Sequence, residues 1–210
     1  PRWGVVPPWG RASLFEDALT CIEPRLKWQL RTELKKDHQR LRHTMIYVTH
    51  DQTEALTFAD QVIVMYEGAI VQIGTPQQLF ETPQHTFVGK FIGSPGMNVL
   101  PCEVDGCDAV FAGARIGLNE TIDTSAGRFE LGIRPEHIRL SASEGMPLRV
   151  TALEDVGRHV IVRGQVAGSP LSALVKDGVA IPEHPCVSFD AAHVNLYRDD
   201  YRVAGGRRAE

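Results

Sequence analysis

The 210-residue sequence has little cysteine, few aromatics and no long apolar run. Its four cysteines, Cys21, Cys102, Cys107 and Cys186, make no C-x-x-C pair and have no histidine at zinc-finger spacing, which excludes the common structural zinc frameworks. Cys102 and Cys107 flank Asp105-Gly106, read here as a hairpin turn, and chance proximity explains them better than a disulfide. Reduced thiols, as in the cytosol, are expected. No apolar stretch approaches the roughly 18 residues that a membrane-spanning helix needs, so a membrane role is expected only through a partner. Excess positive charge is missing as well: 22 Lys and Arg against 26 Asp and Glu leave a net charge of −4, which argues against a dedicated nucleic-acid binder. The phosphate-cradling loop G-x-x-x-x-G-K-[S/T] does not occur in these residues. The first residue is not Met, which suggests a fragment or a processed product.

What remains is an ordinary globular composition, 43% hydrophobic and 23% charged, on a chain long enough for one or two domains. Residues 1–13, broken by Pro and Gly, read as an irregular arm. From Pro24 to His43 the spacing predicts a helix, with Leu26, Leu30, Leu34 and Leu41 as its apolar stripe. Lys27, Arg31, Lys35, Lys36, Arg40 and Arg42 take its other faces, where Lys36 and Arg40 can offset Glu33 and Asp37. Met45–Val48 is a short β-rich run of the kind buried in a parallel sheet. A helix follows at once, with Asp51 as N-cap and Glu54 completing a D-x-x-E capping box. His50 therefore belongs at the C-terminal edge of a strand, beside a helix N-terminus, where open α/β sheets bind ligands. A lone histidine in such a place is more often structural or solvated than chemical.

The whole string changes that balance. Val48-Thr-His-Asp-Gln-Thr-Glu-Ala-Leu-Thr-Phe-Ala-Asp60, followed by Val62-Ile-Val-Met and Ile70-Val-Gln-Ile-Gly-Thr-Pro76, resembles the switch-histidine region of ATP-binding-cassette (ABC) ATPases. It is most similar to the sugar and glycerol-phosphate importer branch, the maltose-type ATPases with a C-terminal regulatory OB-like barrel. That resemblance implies that His50 contacts the γ-phosphate of ATP and the attacking water. It sets Glu16 where the Mg2+-holding Asp stands in the family, and Asp17 where the catalytic Glu stands. Glu23 then falls in the loop that faces the second subunit. Both carboxylates are kept but their lengths are exchanged, a displacement of about 1 Å that can cost of order 10²-fold in rate. On spacing alone, Glu16 and Asp17 are a pair of acids in a loop. The family's signature L-S-G-G-Q and glutamine loop are absent from these residues.

Further along, Val62–Met65 and Ala69–Ile73 read as two strands joined at Glu67-Gly68. Thr75 and Pro76 open a helix as N-cap and first-turn proline, and a second short helix runs from about Gln84 to Phe91. Gly93–Asn98 reads as a linker. From Val99 the period shifts to short alternating runs: Leu100–Val104, Ala109–Phe111, Ala114–Leu118, Leu148–Leu153, His159–Val166, Leu171–Val175, Val187–Phe189 and Val194–Tyr197. Such spacing argues for a small barrel. Leu131-Gly-Ile-Arg-Pro-Glu-His-Ile138 resembles the signature of the regulatory barrel of importer-type ABC proteins, with Arg134 and Glu136 read as a structural pair or a partner contact.

The expected fold is thus an α/β half-domain, the C-terminal part of an ABC ATPase, followed by an all-β OB-like regulatory barrel. The expected boundaries are an unmatched arm at 1–13, the ATPase part at 14–92 and the dimerisation barrel at 93–210. The resemblance implies an importer subunit for a sugar, polyol or glycerol phosphate, using ATP and Mg2+. It would sit peripherally on the cytoplasmic face of the inner membrane, with two membrane-spanning permease subunits, a second ATPase subunit and, indirectly, an external solute-binding protein. The alternative is a non-catalytic remnant whose barrel alone dimerises or regulates.

Overall fold

The computed structural model describes residues 3–5, 12–16, 24–41, 44–124 and 127–206. The chain divides into two compact units, Pro1–Val62 and Ile63–Glu210.

In the first unit, β1 (Trp3–Val5), β2 (Ala12–Glu16) and β3 (Thr44–Val48) form a sheet in that order. β1 runs antiparallel to β2, and β2 runs parallel to β3, pairing Ser13 with Met45, Phe15 with Tyr47 and Glu16 with Val48. Helix α1 (Pro24–Leu41) lies between β2 and β3 in sequence, as parallel neighbours require a crossover. The expected charge pairs form on its exposed side, Lys36–Glu33 at 2.7 Å and Arg40–Asp37 at 2.8 Å. Part of the expected arm differs from its reading, because Trp3–Val5 has the partner strand that local composition does not reveal. The apolar stripe of α1 also differs: Leu26 and Leu30 are 51% and 36% exposed, as are Ile46 (49%) and Val48 (47%) on β3. The exposed residues of β3 alternate, so one face of a run patterned for burial remains open.

The β4 (Val62–Tyr66) and β5 (Ala69–Gly74) hairpin follows α2 (Gln52–Phe58). Glu67 and Gly68 both take positive φ, +49° and +79°, the backbone of the tight turn whose twist matches the strands it joins. Helix α3 (Pro76–Glu81) carries a true capping box. The Thr75 hydroxyl accepts from the Gln78 amide at 3.2 Å, and the Gln78 side chain accepts from the Thr75 amide at 2.9 Å. Helix α4 (Thr86–Phe91) is capped by His85, so it starts slightly later than its expected position.

The remainder is β apart from two 3-10 turns, Pro135–His137 and Ala191–His193. β6 (Asn98–Pro101), β10 (Phe129–Ile133), β17 (Asn195–Arg198) and β18 (Tyr201–Gly205) form one sheet, in the order β18-β17-β10-β6. β7 (Glu103–Asp105), β8 (Asp108–Phe111) and β9 (Ala114–Gly117) form a meander, and β13 (Arg149–Asp155), β14 (His159–Val166) and β15 (Ser169–Lys176) a second. β11 (Ile138–Ser141) and β12 (Met146–Pro147) flank β16 (Cys186–Phe189). Their inward residues, among them Leu100, Phe111, Leu131, Ile133, Val162, Leu171, Val187 and Leu196, meet in one continuous core. Asn98 ties two of these sheets together. Its buried amide donates to the carbonyls of Ile133 (3.1 Å) and Ser172 (2.9 Å), and its oxygen accepts from the Ser172 amide at 2.7 Å.

Candidate functional site

The first unit builds its site at the C-terminal edge of the parallel strands. Glu16 ends β2 opposite Val48, the last residue of β3, and His50 follows two positions later, so the backbone brings Glu16 and His50 to one sheet edge. His50 is exposed there. Asp17 and Glu23 lie outside the described residues. Asp51 caps α2 as expected, its carboxylate accepting from the Glu54 amide at 3.1 Å.

The second half of the expected capping box does not form. The Asp51 amide donates instead to the Thr49 hydroxyl at 3.0 Å. Glu54 turns into the unit, where it is only 3% exposed. One of its oxygens accepts from Arg31 of α1 at 3.1 Å; the other accepts from the Thr49 hydroxyl at 3.0 Å and the Tyr47 hydroxyl at 3.2 Å. A buried carboxylate needs charged and hydrogen-bonding partners, and Arg31 answers that need better than a backbone amide at the helix end. The consequence for the site is mechanical. Residues on both sides of His50, Thr49 and Asp51, are held by one network that also ties β3 to α1 and α2. Sequence reading placed Arg31 on a solvated face; its partner Glu54 lies 23 residues away, beyond the reach of local spacing.

In the second unit, the motif Leu131–Ile138 resolves into separate physical tasks. Leu131, Ile133 and Ile138 point into the core. Gly132 leaves room where a Cβ would lie 2.6 Å from the Tyr197 ring and 2.7 Å from the Met97 methyl. Arg134 is 4% exposed and donates to the carbonyls of Phe80 (2.6 Å), Ile92 (2.6 Å) and Leu79 (3.4 Å), with its guanidinium 3.8 Å above the Phe80 ring. It therefore satisfies carbonyls at the ends of α3 and α4; of the two roles expected from sequence, a structural pair with Glu136 or a partner contact, the hydrogen bonds show a contact with these helices and no pair with Glu136. Burial lowers its affinity for a proton, partly offset by the nearby Glu136 charge. Tyr197 is buried too, its hydroxyl donating to the Pro83 carbonyl at 2.9 Å, and burial pushes its ionisation well above the usual range. Pro135, Glu136 and His137 form a 3-10 turn.

Residues 93–138 match the MalK OB fold domain family, and residues 131–195 match the TOBE domain family. Over 188 residues, 88% of its length, the chain is 38% identical to a protein of Brucella abortus (strain 2308) described as ATP-binding, of which it covers 53%. It is 40% identical over 181 residues, 85% of the chain and 49% of the relative, to the sn-glycerol-3-phosphate import ATP-binding protein UgpC of Ruegeria pomeroyi. The protein of that name from Escherichia coli O1:K1 / APEC is 44% identical over 158 residues, 72% of the chain and 44% of the relative. The chain spans about half the length of the curated relatives it matches. The chain is thus similar to the OB-fold and TOBE families over residues 93–195 and, over most of its length, to proteins named as sn-glycerol-3-phosphate import ATP-binding proteins.

Proposed function

We propose that the chain is part of the ATP-hydrolysing subunit of an ABC importer for a sugar, polyol or glycerol phosphate. The observation that carries the reading is the placement of Glu16 and His50 on one edge of a parallel sheet, at the positions that the importer resemblance assigns to the metal ligand and the switch histidine. In this reading the His50 imidazole hydrogen-bonds the γ-phosphate and orients the attacking water. Asp17 stands at the position of the base that polarises that water, and Glu16 at the position that holds Mg2+. The ion, when bound, neutralises charge on the β- and γ-phosphate oxygens. Glu23 faces the second ATPase subunit across the ATP site. The Glu54 network fixes the backbone on both sides of His50, which suits a group that must report the presence of one phosphate. The barrel, residues 93–210, serves dimerisation and regulation after an ATPase part at 14–92. Two permease subunits anchor the assembly at the cytoplasmic face of the inner membrane, and an external solute-binding protein supplies the solute. Among the described residues no helix is long and apolar enough to cross a membrane, so attachment falls to those partners.

The test begins with the protein as the native cell makes it: intact mass, N-terminal sequence and Mg2+-dependent ATP hydrolysis. A heavier chain bearing a G-x-x-x-x-G-K-[S/T] loop, whose turnover falls about 10²-fold or more in His50→Ala, supports the reading. A native chain of this length that neither binds nor hydrolyses ATP overturns it and leaves the barrel as a non-catalytic dimerising or regulatory module.

A further inference from the structure

The second unit holds a cluster that the transport reading does not use. His137 closes the 3-10 turn at Pro135–His137, and His193 closes another at Ala191–His193, which Asp190 caps. The two imidazoles stack with centroids 3.7 Å apart and planes 1° from parallel. Nitrogen and carboxylate donors of His137, Asp190 and His193 all lie within 4.8 Å of one another.

The backbone holds this arrangement in place. Residues i and i+3 eclipse in a 3-10 turn, which puts Asp190 and His193 on one side. The Asp190 amide donates to the His137 carbonyl at 3.0 Å, and the His193 amide to the Asp190 carbonyl at 3.0 Å. One carboxylate oxygen of Asp190 accepts from the Ala192 amide at 3.3 Å. The other has Arg139 as a neighbour at 3.7 Å, a guanidinium that is 78% exposed and free to swing into solvent.

We propose that His137, Asp190 and His193 form a binding site for a divalent transition-metal ion of the zinc class. Two imidazoles and one carboxylate are a donor set suited to such ions, and a half-exposed edge leaves room for water as a fourth ligand. A tetrahedral ion with bonds of about 2.0–2.1 Å holds its ligand atoms roughly 3.3 Å apart. The lone pairs of stacked rings lie in parallel planes, so ligation requires the exposed His193 ring to turn out of the stack toward Asp190. The inference stands on these three residues alone and is independent of ATP chemistry.

The experiment is calorimetric titration of the full 210-residue chain with Zn2+, paired with Co2+ titration followed by visible absorption. The chain has eight histidines, so variants decide the site. His193→Ala removes an exposed ligand, and Asp190→Asn removes the anionic ligand while keeping an oxygen for the Ala192 amide. The expected result is one equivalent bound in the micromolar range, with d–d bands of low-coordinate Co2+ and a loss of at least about 10–100-fold in each variant. Unchanged circular dichroism of the metal-free variants ties the loss to the ligands. Wild-type affinity retained in both variants, or no binding below millimolar Zn2+, overturns the proposal and leaves a stacked histidine pair that only packs.

Discussion

Arg134 shows how much one side chain can hold. Its three donors meet carbonyls of Leu79, Phe80 and Ile92, groups that α3 and α4 cannot satisfy internally. Arg134→Met keeps the aliphatic bulk and abandons those carbonyls in a buried setting. The expected cost is about 2–4 kcal/mol, read as a lower urea midpoint, with faster amide exchange confined first to α3 and α4. Cys102 gives a second test at this scale. Burial, then the Glu130 charge, push its thiol up to about 12 from 9.0. Its thiolate is therefore scarce at pH 8, and alkylation of the native chain should label Cys107 and Cys186 well before Cys102. The linkage has a definite sign. From about pH 9 upward the unfolded chain releases a proton that native Cys102 keeps, so this thiol subtracts stability as pH climbs from 9 toward 12. A Cys102→Ala variant should lose that alkaline decline.

Elements whose ends are set by neighbouring residues were legible in the sequence. Asp51 begins α2, Thr75 and Pro76 begin α3, and Glu67-Gly68 turns β4 into β5, because caps and tight turns are decided within four residues. Elements and contacts decided by distant partners were not. β1 exists because β2 runs beside it, β18 because β17 does, and nothing local in Trp3–Val5 or Tyr201–Gly205 announces either. The Glu54 network fails the local test in the same way. A capping box was the nearest use for that carboxylate, whereas Arg31 on α1 was the better one. His137 and Asp190 likewise meet only after the barrel closes. If the network anchors β3 and α2 to α1, Glu54→Ala should cost about 1–3 kcal/mol and loosen all three elements together, whereas Asp51→Ala, a lost cap, should cost about 1 kcal/mol and fray only α2. Amide exchange of β3 separates the two: retention of its protection in Glu54→Ala would remove the network from the account.

At the scale of the molecule, the two units differ in how far each satisfies its own sequence. Leu131, Ile133, Val162, Val187 and Leu196 lie buried in one closed core in the second unit. The first unit leaves Leu26, Leu30, Ile46 and Val48 open, although their spacing is that of buried faces; the second leaves Ile63, Met65, Ile70 and Ile73 of its β4–β5 hairpin open but has that closed core besides. Apolar area withheld from water is the main favourable term in folding, and exposed side chains forfeit about 25 cal/mol for each Å². The first unit should therefore be the weaker one and unfold on its own. The sequence provides the means to see this, since Trp3, Trp9 and Trp28 are its only tryptophans and all precede Ile63. Tryptophan emission then reports the first unit alone, while amide-exchange protection of β10, β14 and β17 reports the second. In urea, emission should change at a distinctly lower midpoint than that protection, with a dye for exposed apolar surface binding between the two. Coincident transitions would mean that the chain folds as one cooperative body, and that the open faces of the first unit cost it less than their area implies.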